Sequence, residues 1–95
     1  MKAYWIEIYK DLKSANNLQG YAEKATAAIK KYNGKFLVRG GKTETLEGKP
    51  SPRTVLIEFP SIEEALNCYN SSEYQEAKKF AKEEFNRHIQ IVEGI

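Results

Sequence analysis

Apolar side chains recur along this chain in two rhythms, and each rhythm predicts an element. From Ala3 to Tyr9 the run AYWIEIY is aromatic and β-branched with no breaker, which at this length predicts a strand. Asn16 and Asn17 then offer a helix cap. Leu18, Tyr21, Ala22, Ala25, Ile29 and Tyr32 follow at three- and four-residue spacing, and Asn33-Gly34 supplies a left-handed stop. Lys35 to Arg39 reads as a second strand closed by Gly40-Gly41, and Thr54 to Phe59 as a third, ended by Pro60. Ser61 with Glu64 forms a capping box ahead of Ile62, Ala65, Leu66 and Tyr69, and Ser72 with Gln75 forms another ahead of Tyr74, Ala77, Ala81 and Phe85. The break at Asn70-Ser71 splits or kinks the two helical stretches. His88 to Val92 alternates as a closing strand.

The order β-α-β-β-α-β, with right-handed crossovers, predicts an α+β fold of the ferredoxin-like kind: one antiparallel sheet with helices on one face. Successive strand side chains point to opposite faces, so each strand divides into two sets. One set, Ile6, Ile8, Phe36, Val38, Val55, Ile57, Phe59, Ile89 and Ile91, is apolar throughout and is expected beneath the helices. The other, Trp5, Glu7, Tyr9, Leu37, Arg39, Leu56, Glu58, His88, Gln90 and Val92, is too apolar for plain solvent and too charged for a plain core. A second copy stacked face to face is its simplest cover, which predicts a homodimer burying roughly 800 Å² per partner.

The 95 residues allow a single domain spanning residues 1–95, since a chain this short builds one core. Fifteen Lys and Arg against thirteen Asp and Glu leave a formal charge of +2, too even for the broad basic surface that phosphate-driven nucleic-acid binding needs. No stretch approaches the roughly 18 apolar residues of a membrane span. One cysteine, Cys68, cannot form an internal disulfide, and the charged N-terminus lacks a signal-type run, which points to the cytoplasm.

Among candidate chemical groups, Arg39 stands directly before Gly40-Gly41, where a planar guanidinium and bare backbone amides suit a carboxylate or phosphate. The bland reading of Arg39 is an ion pair with Glu58 or Glu7. Those two carboxyls fall on neighbouring strands and on one face, an arrangement that holds a proton unusually high on one of them unless a cation intervenes. His88, the single histidine, is expected on that same face and suits proton transfer near neutral pH. Cys68, on a helix and without a companion His, reads as a packing residue. One His and one Cys cannot build a zinc shell, and GGKTETLEG lacks the spacing of a phosphate loop, so neither a metal nor a cofactor is expected. The segment from Gly41 to Arg53, about a dozen residues, is longer than most hairpin connections, and two readings of it stand: a lid, binding loop or arm that reaches a partner, or a solvated hairpin tip. Tyr4, Tyr21, Tyr32, Tyr69 and Tyr74 give the helix side many phenolic hydroxyls that can line a cleft above the sheet.

These residues together resemble the uncharacterised family known as domain of unknown function 1330, in the dimeric α/β-barrel superfamily. The resemblance rests on Ala3 to Ile6, on Tyr32-Asn33-Gly34-Lys35-Phe36-Leu37-Val38-Arg39-Gly40-Gly41, on Leu46-Glu47-Gly48, on Ile57-Glu58-Phe59-Pro60, on Asn70 to Gln75, and on Ile91 to Gly94. It departs at Cys68, where members usually carry Trp, at Ala81-Lys82, where an Arg is common, and at Asn33 in a Gly-Gly pair. The resemblance implies the ferredoxin-like fold and a homodimer, with no established reaction. Other superfamily members, such as small cofactor-independent monooxygenases and lactone isomerases, hold substrate between helices and sheet. The expectation is therefore a homodimer with a pocket for a small anionic or aromatic metabolite, anchored by Arg39, Gly40 and Gly41 and walled by Trp5, Tyr69 and Tyr74. Glu58 or His88 is the expected proton-transfer group. The alternative is a non-catalytic dimerisation or ligand-binding module whose polar cluster only fixes register.

Overall fold

The N-terminal aromatic run forms strand β1 (Ala3–Tyr9), which hydrogen-bonds on both sides and so occupies an interior position of the sheet. Helix α1 (Ala15–Lys31), strands β2 (Lys35–Arg39) and β3 (Thr54–Phe59), helices α2 (Ile62–Asn70) and α3 (Ser72–Ala81) and strand β4 (Arg87–Glu93) follow. The structure is a computed structural model that describes residues 1–13, 15–81 and 85–95; Lys82, one of the departures from the family pattern, lies outside the described residues. The strands form one antiparallel sheet in the order β2-β3-β1-β4, with the helices across one face, which is the expected ferredoxin-like α+β arrangement.

Local signals place most boundaries. The Ser61 hydroxyl accepts the Glu64 N–H at 3.1 Å and starts α2 as the capping pattern requires. Asn33 ends α1 at φ 65°, in the left-handed region that Asn tolerates. Two caps differ from expectation. Helix α1 begins at Ala15, so Asn17 lies within its first turn and its side-chain amide donates to the Phe80 carbonyl at 3.2 Å. The cap of α3 is Ser71, not Ser72: the Ser71 hydroxyl accepts the Tyr74 N–H at 3.1 Å and donates to the Cys68 carbonyl at 2.6 Å, joining the end of α2 to the start of α3. Ser71 has the extended backbone of a cap residue, which Ser72, already helical, lacks.

The face assignment of β1 is opposite to the one expected. Ala3, Trp5, Glu7 and Tyr9 point under the helices and are buried, while Tyr4, Ile6 and Ile8 point away. Pairing fixes this, because Trp5 lies opposite Ile57 and Ile91, and Glu7 opposite Val55 and Ile89. The cause is volume. The helices present small residues to the sheet, Ala25 and Ala28 from α1, Ala65 from α2, and Ala77 and Ala81 from α3. Close-packed interiors then need large side chains from below. Trp5 fills that space, with ring centroids 6.0 Å from Phe59, 5.8 Å from Tyr69 and 5.0 Å from Tyr74. Isoleucines at these positions would leave voids.

A β-bulge corrects a second assignment. Phe36 pairs with Ile57 but Val38 pairs with Leu56, so Leu37 is the inserted residue. Beyond it the alternation is reversed: Val38 turns to the outer face and Arg39, opposite Val55, turns toward α1. The outer face thus ranks Val38, Leu56, Ile6 and Gln90 across the sheet, with Ile8 and His88 beside them and Glu58, Tyr4 and Val92 beyond. Glu7 and Glu58, expected on one face, lie on opposite faces.

Candidate functional site

Burying Glu7 under the helices demands donors, and three neighbouring side chains meet that demand, one of them backed by a fourth. Trp5, two residues away on the same face of β1, donates Nε1–H to Glu7 Oε1 at 3.1 Å. Tyr21, one turn into the buried face of α1, places its hydroxyl 3.2 Å from Glu7 Oε2. Arg87, opposite Tyr9 at the start of β4, donates from Nη1 to Oε2 at 3.2 Å. Tyr74 of α3 sits 2.8 Å from the Tyr21 hydroxyl. With the single Tyr21 proton directed to the carboxylate, Tyr74 donates to Tyr21, giving a Tyr74–Tyr21–Glu7 chain. The Arg87 and Glu7 side chains are only 9% and 3% exposed, so this is a buried ion pair, and the Arg87 guanidinium also lies 4.5 Å from the Tyr21 ring centroid.

Burial pushes the phenols of Tyr9, Tyr21 and Tyr74 above their ordinary range, and the nearby Glu7 charge adds to the effect. All three remain neutral hydrogen-bonding groups at physiological pH.

Beside this cluster a narrow cleft opens between α1 and the β1, β2 and β3 strands. Glu7, Tyr9 and Val55 line it from below, Ala25 and Thr26 from above, and Arg39 and Arg53 at the edge. Its enclosed part is about 20 Å³ and the whole depression, mouth included, about 270 Å³. The inner part therefore admits one water-sized group. Two residues lining this cleft carry buried polar atoms: Arg53 Nε has no hydrogen-bond partner, and the Tyr9 hydroxyl is directed at the Glu7 carboxylate. Buried polar atoms are nearly always paired, so Arg53 Nε stands out among the described residues.

Arg53 is held in place from several directions. Tyr9 N–H donates to the Arg53 carbonyl at 2.9 Å, and the Ser51 hydroxyl donates to the Tyr9 carbonyl at 2.6 Å while accepting the Arg53 N–H at 3.3 Å. The guanidinium lies 5.7 Å from the Tyr9 ring centroid. Gly40, at φ +71°, leaves it room: a β-carbon there would come within 2.3 Å of Arg53 Nη1. Arg39 stacks on Phe36 at 4.3 Å and donates to the Thr26 hydroxyl of α1, so its side chain straps the cleft mouth from β2 to the helix.

The residues singled out from sequence separate into two places. Arg39 stands at the cleft mouth. Gly40 shapes the cleft through Arg53, and its N–H is already engaged with the Thr54 carbonyl at 2.9 Å. Gly41 is exposed with open space around it. Trp5 and Tyr74 belong to the core beside Glu7, and Tyr69 packs on Trp5 with its hydroxyl accepting from Lys78 at 3.1 Å. Glu58 and His88 sit on the outer sheet face, away from the cleft, and Glu58 is paired there with Lys2 at 3.4 Å and the Tyr4 hydroxyl at 3.3 Å. Cys68 is buried on α2, and that burial first, then the Glu73 charge, pushes its thiol up to about 12. Arg53 and Arg87 are the residues that sequence reasoning missed. Arg87 had a readable signal, since it precedes His88 by one position in an alternating strand and so falls on the face opposite His88, where Glu7 needs a cation. Among the described residues no group of three His, Cys, Asp or Glu side chains converges to hold a metal, and no helix is long and apolar enough to cross a membrane.

The chain belongs to the family described as domain of unknown function (DUF1330), whose pattern matches residues 2–95. No curated protein matches it. Among solved structures it is similar to a protein of unknown function from Rhodopseudomonas palustris, with a TM-score of 0.77 at 13% identity, covering 99% of this chain and 82% of that one. It is also similar to a dimeric protein of unknown function with a ferredoxin-like fold from Bacteroides fragilis, with a TM-score of 0.64 at 16% identity, covering 98% and 96%. A third, an ethyl tert-butyl ether D (EthD) family protein from Bacillus halodurans, gives a TM-score of 0.64 at 12% identity over 100% of both chains. At such identities these likenesses establish the fold alone.

Proposed function

We propose that this member of the family is a homodimer that binds a small polar metabolite in the cleft between α1 and the sheet. The observation that carries the binding reading is that Arg53, a residue lining the cleft beside Arg39, has a buried Nε without a hydrogen-bond partner. A purely structural polar cluster would be closed on itself, as the Glu7, Trp5, Tyr21 and Arg87 group is. The cleft beside it is not closed. Arg39 and Arg53 supply positive charge at its edge, and a preformed concavity with a few convergent polar groups is the usual form of a small-molecule site.

The dimer is supported by the outer sheet face. Ile8 is 40% exposed, Leu37 45%, Val38 40% and Val92 46%, and with the half-buried Ile6 and Leu56 they form a continuous apolar surface. A self-complementary sheet face suits twofold stacking, and a structural relative is itself dimeric. Glu58 and His88 then belong to the contact between copies, and the cleft chemistry falls to Tyr9, Glu7 and the two arginines. Two measurements test this reading. Sedimentation should give a dimer at micromolar protomer concentration that Leu56→Glu converts to monomer. Titration with small anions should shift amide resonances of Arg53 and Tyr9, and Arg53→Ala should remove that response while leaving the dimer intact. A wild-type monomer would end the dimer reading, and unshifted cleft resonances would end the binding reading.

A further inference from the structure

The enclosed part of the cleft, about 20 Å³, holds one water-sized group, so a metabolite enters only if a wall moves. The walls differ in what holds them. Val55 and Ile57 belong to a strand paired on both sides, and Ala25 and Ile29 to a helix tied to the core through Tyr21 and to α3 through Lys31 and Glu73. Arg53 is pinned at its backbone by Tyr9 and Ser51. Arg39 is held differently. The bulge at Leu37 turns it toward α1 from the end of the edge strand β2, and its guanidinium crosses the cleft mouth from the Phe36 ring to the Thr26 hydroxyl. Among the described residues this is the one side-chain hydrogen bond between α1 and β2, and it is exposed. Neither element depends on it, since β2 keeps its ladder with β3 and α1 keeps Tyr21 and its packing on α3.

Resting on the reading of the cleft as a binding site, we propose that the Arg39–Thr26 strap is its gate. It is closed in the resting structure and open in a minor form, about 1–10% of molecules, in which Arg39 lies in solvent and the mouth between Phe36 and α1 is clear. Opening strands no buried polar group. The guanidinium passes into water, and a threonine within a helix returns its hydroxyl to the carbonyl four residues back, here that of Ala22. Closing is favoured by one hydrogen bond and one stacking contact, both at the surface, which is enough to keep the mouth shut most of the time and too little to lock it.

The test places a thiol on the cleft floor and times its reaction with a small methanethiosulfonate. Val55→Cys changes the side-chain volume little and stands beside Arg39 in the ladder, at a buried position of the cleft. The native Cys68, buried on α2, reports wider unfolding in the same sample, the two sites being read separately by peptide mass. Labelling at position 55 passes through the open form, so its rate follows the open population. Thr26→Val keeps the branched shape and removes the acceptor; it should raise that rate about fivefold, the weight of a single hydrogen bond, and Arg39→Ala should raise it at least as much, with Cys68 labelling unchanged. Ala25→Cys, on the helix wall, gives the same comparison without touching β3. Equal rates with the strap intact and with it cut overturn the gate, and so does an acceleration shared in step with Cys68. The binding reading fails separately: faster labelling beside an anion titration that moves no cleft resonance leaves the gate standing and removes its ligand, whereas a responsive titration without faster labelling removes the gate and keeps the site.

Discussion

Replacing Glu7 tests the central assignment of the structure, that this carboxylate lies under the helices. Glu7 is 2% exposed and accepts from Trp5 at 3.1 Å, Tyr21 at 3.2 Å and Arg87 at 3.2 Å. Glu7→Met keeps the volume but strands the Arg87 guanidinium, and breaking a buried ion pair from one side costs about 3–5 kcal/mol. The orphaned Trp5 N–H adds about 1 kcal/mol. Tyr21 adds little, because its hydroxyl keeps Tyr74. A loss of about 4–6 kcal/mol rivals the whole stability of a protein at the low end of the usual 5–15 kcal/mol. Arg87→Met alone leaves the Glu7 charge buried and should cost a similar amount. The double variant Glu7→Met with Arg87→Met removes both charges and should recover about 2–3 kcal/mol relative to the sum of the single losses. Urea unfolding of the four proteins at one protomer concentration gives the cycle, that concentration being fixed because dimerisation contributes to the measured value. A single Glu7→Met loss below about 1 kcal/mol, with no coupling to Arg87, would place Glu7 in water and refute the buried-pair argument.

Three further outcomes are expected. The raised phenols of Tyr9, Tyr21 and Tyr74 keep their protons in the folded protein above the pH of about 10 at which the unfolded chain releases them. Stability is therefore fully present below that pH and falls above it, by at most about 4 kcal/mol per unit if all three contribute; a denaturation series that stays flat past pH 10 would contradict their burial. Gly40→Ala forces a side chain into left-handed backbone and against Arg53, so it should cost about 1–2 kcal/mol in thermal unfolding and weaken anion binding, whereas Gly41→Ala, with open space around it, should do neither. Cys68, whose thiol stands near 12, should resist a thiol-reactive chromophore at pH 8 until the chain is unfolded, and rapid labelling of the native protein would show that α2 does not cover it.

The strands, the Ser61 cap, the Asn33 turn and the βαββαβ order were all legible in the sequence, because each rests on local chemistry: β-branched runs, a hydroxyl three residues from a Glu, a residue that tolerates positive φ. Which face of β1 lies inside was not local. Hydropathy favours Ile6 and Ile8 over a set containing Glu7, and only two distant facts reverse the choice: the alanines on α1, α2 and α3, which require Trp5 and Tyr9 beneath them, and Arg87, which neutralises Glu7 from the far end of the chain. The bulge at Leu37 carries no Gly or Pro marker, so Arg39 was legible as an anion anchor but not as a residue aimed at α1. Arg53 was hidden for a related reason, since its importance comes from the Tyr9 and Ser51 contacts and from the empty space at Gly40.

β1 is a ribbon with two credible insides. Sliding it by a single position would exchange every side chain between the faces, putting the isoleucines in and the carboxylate out, and would leave the Arg87 guanidinium buried without its counter-charge. The margin that excludes it is the stranded Arg87 together with the mismatch between slender isoleucines and the hollow above them. Enlarging Ala25 or Ala77 would erode that margin, and the symptom to look for is a doubled set of Trp5 indole signals, two coexisting native forms, before any loss of cooperativity.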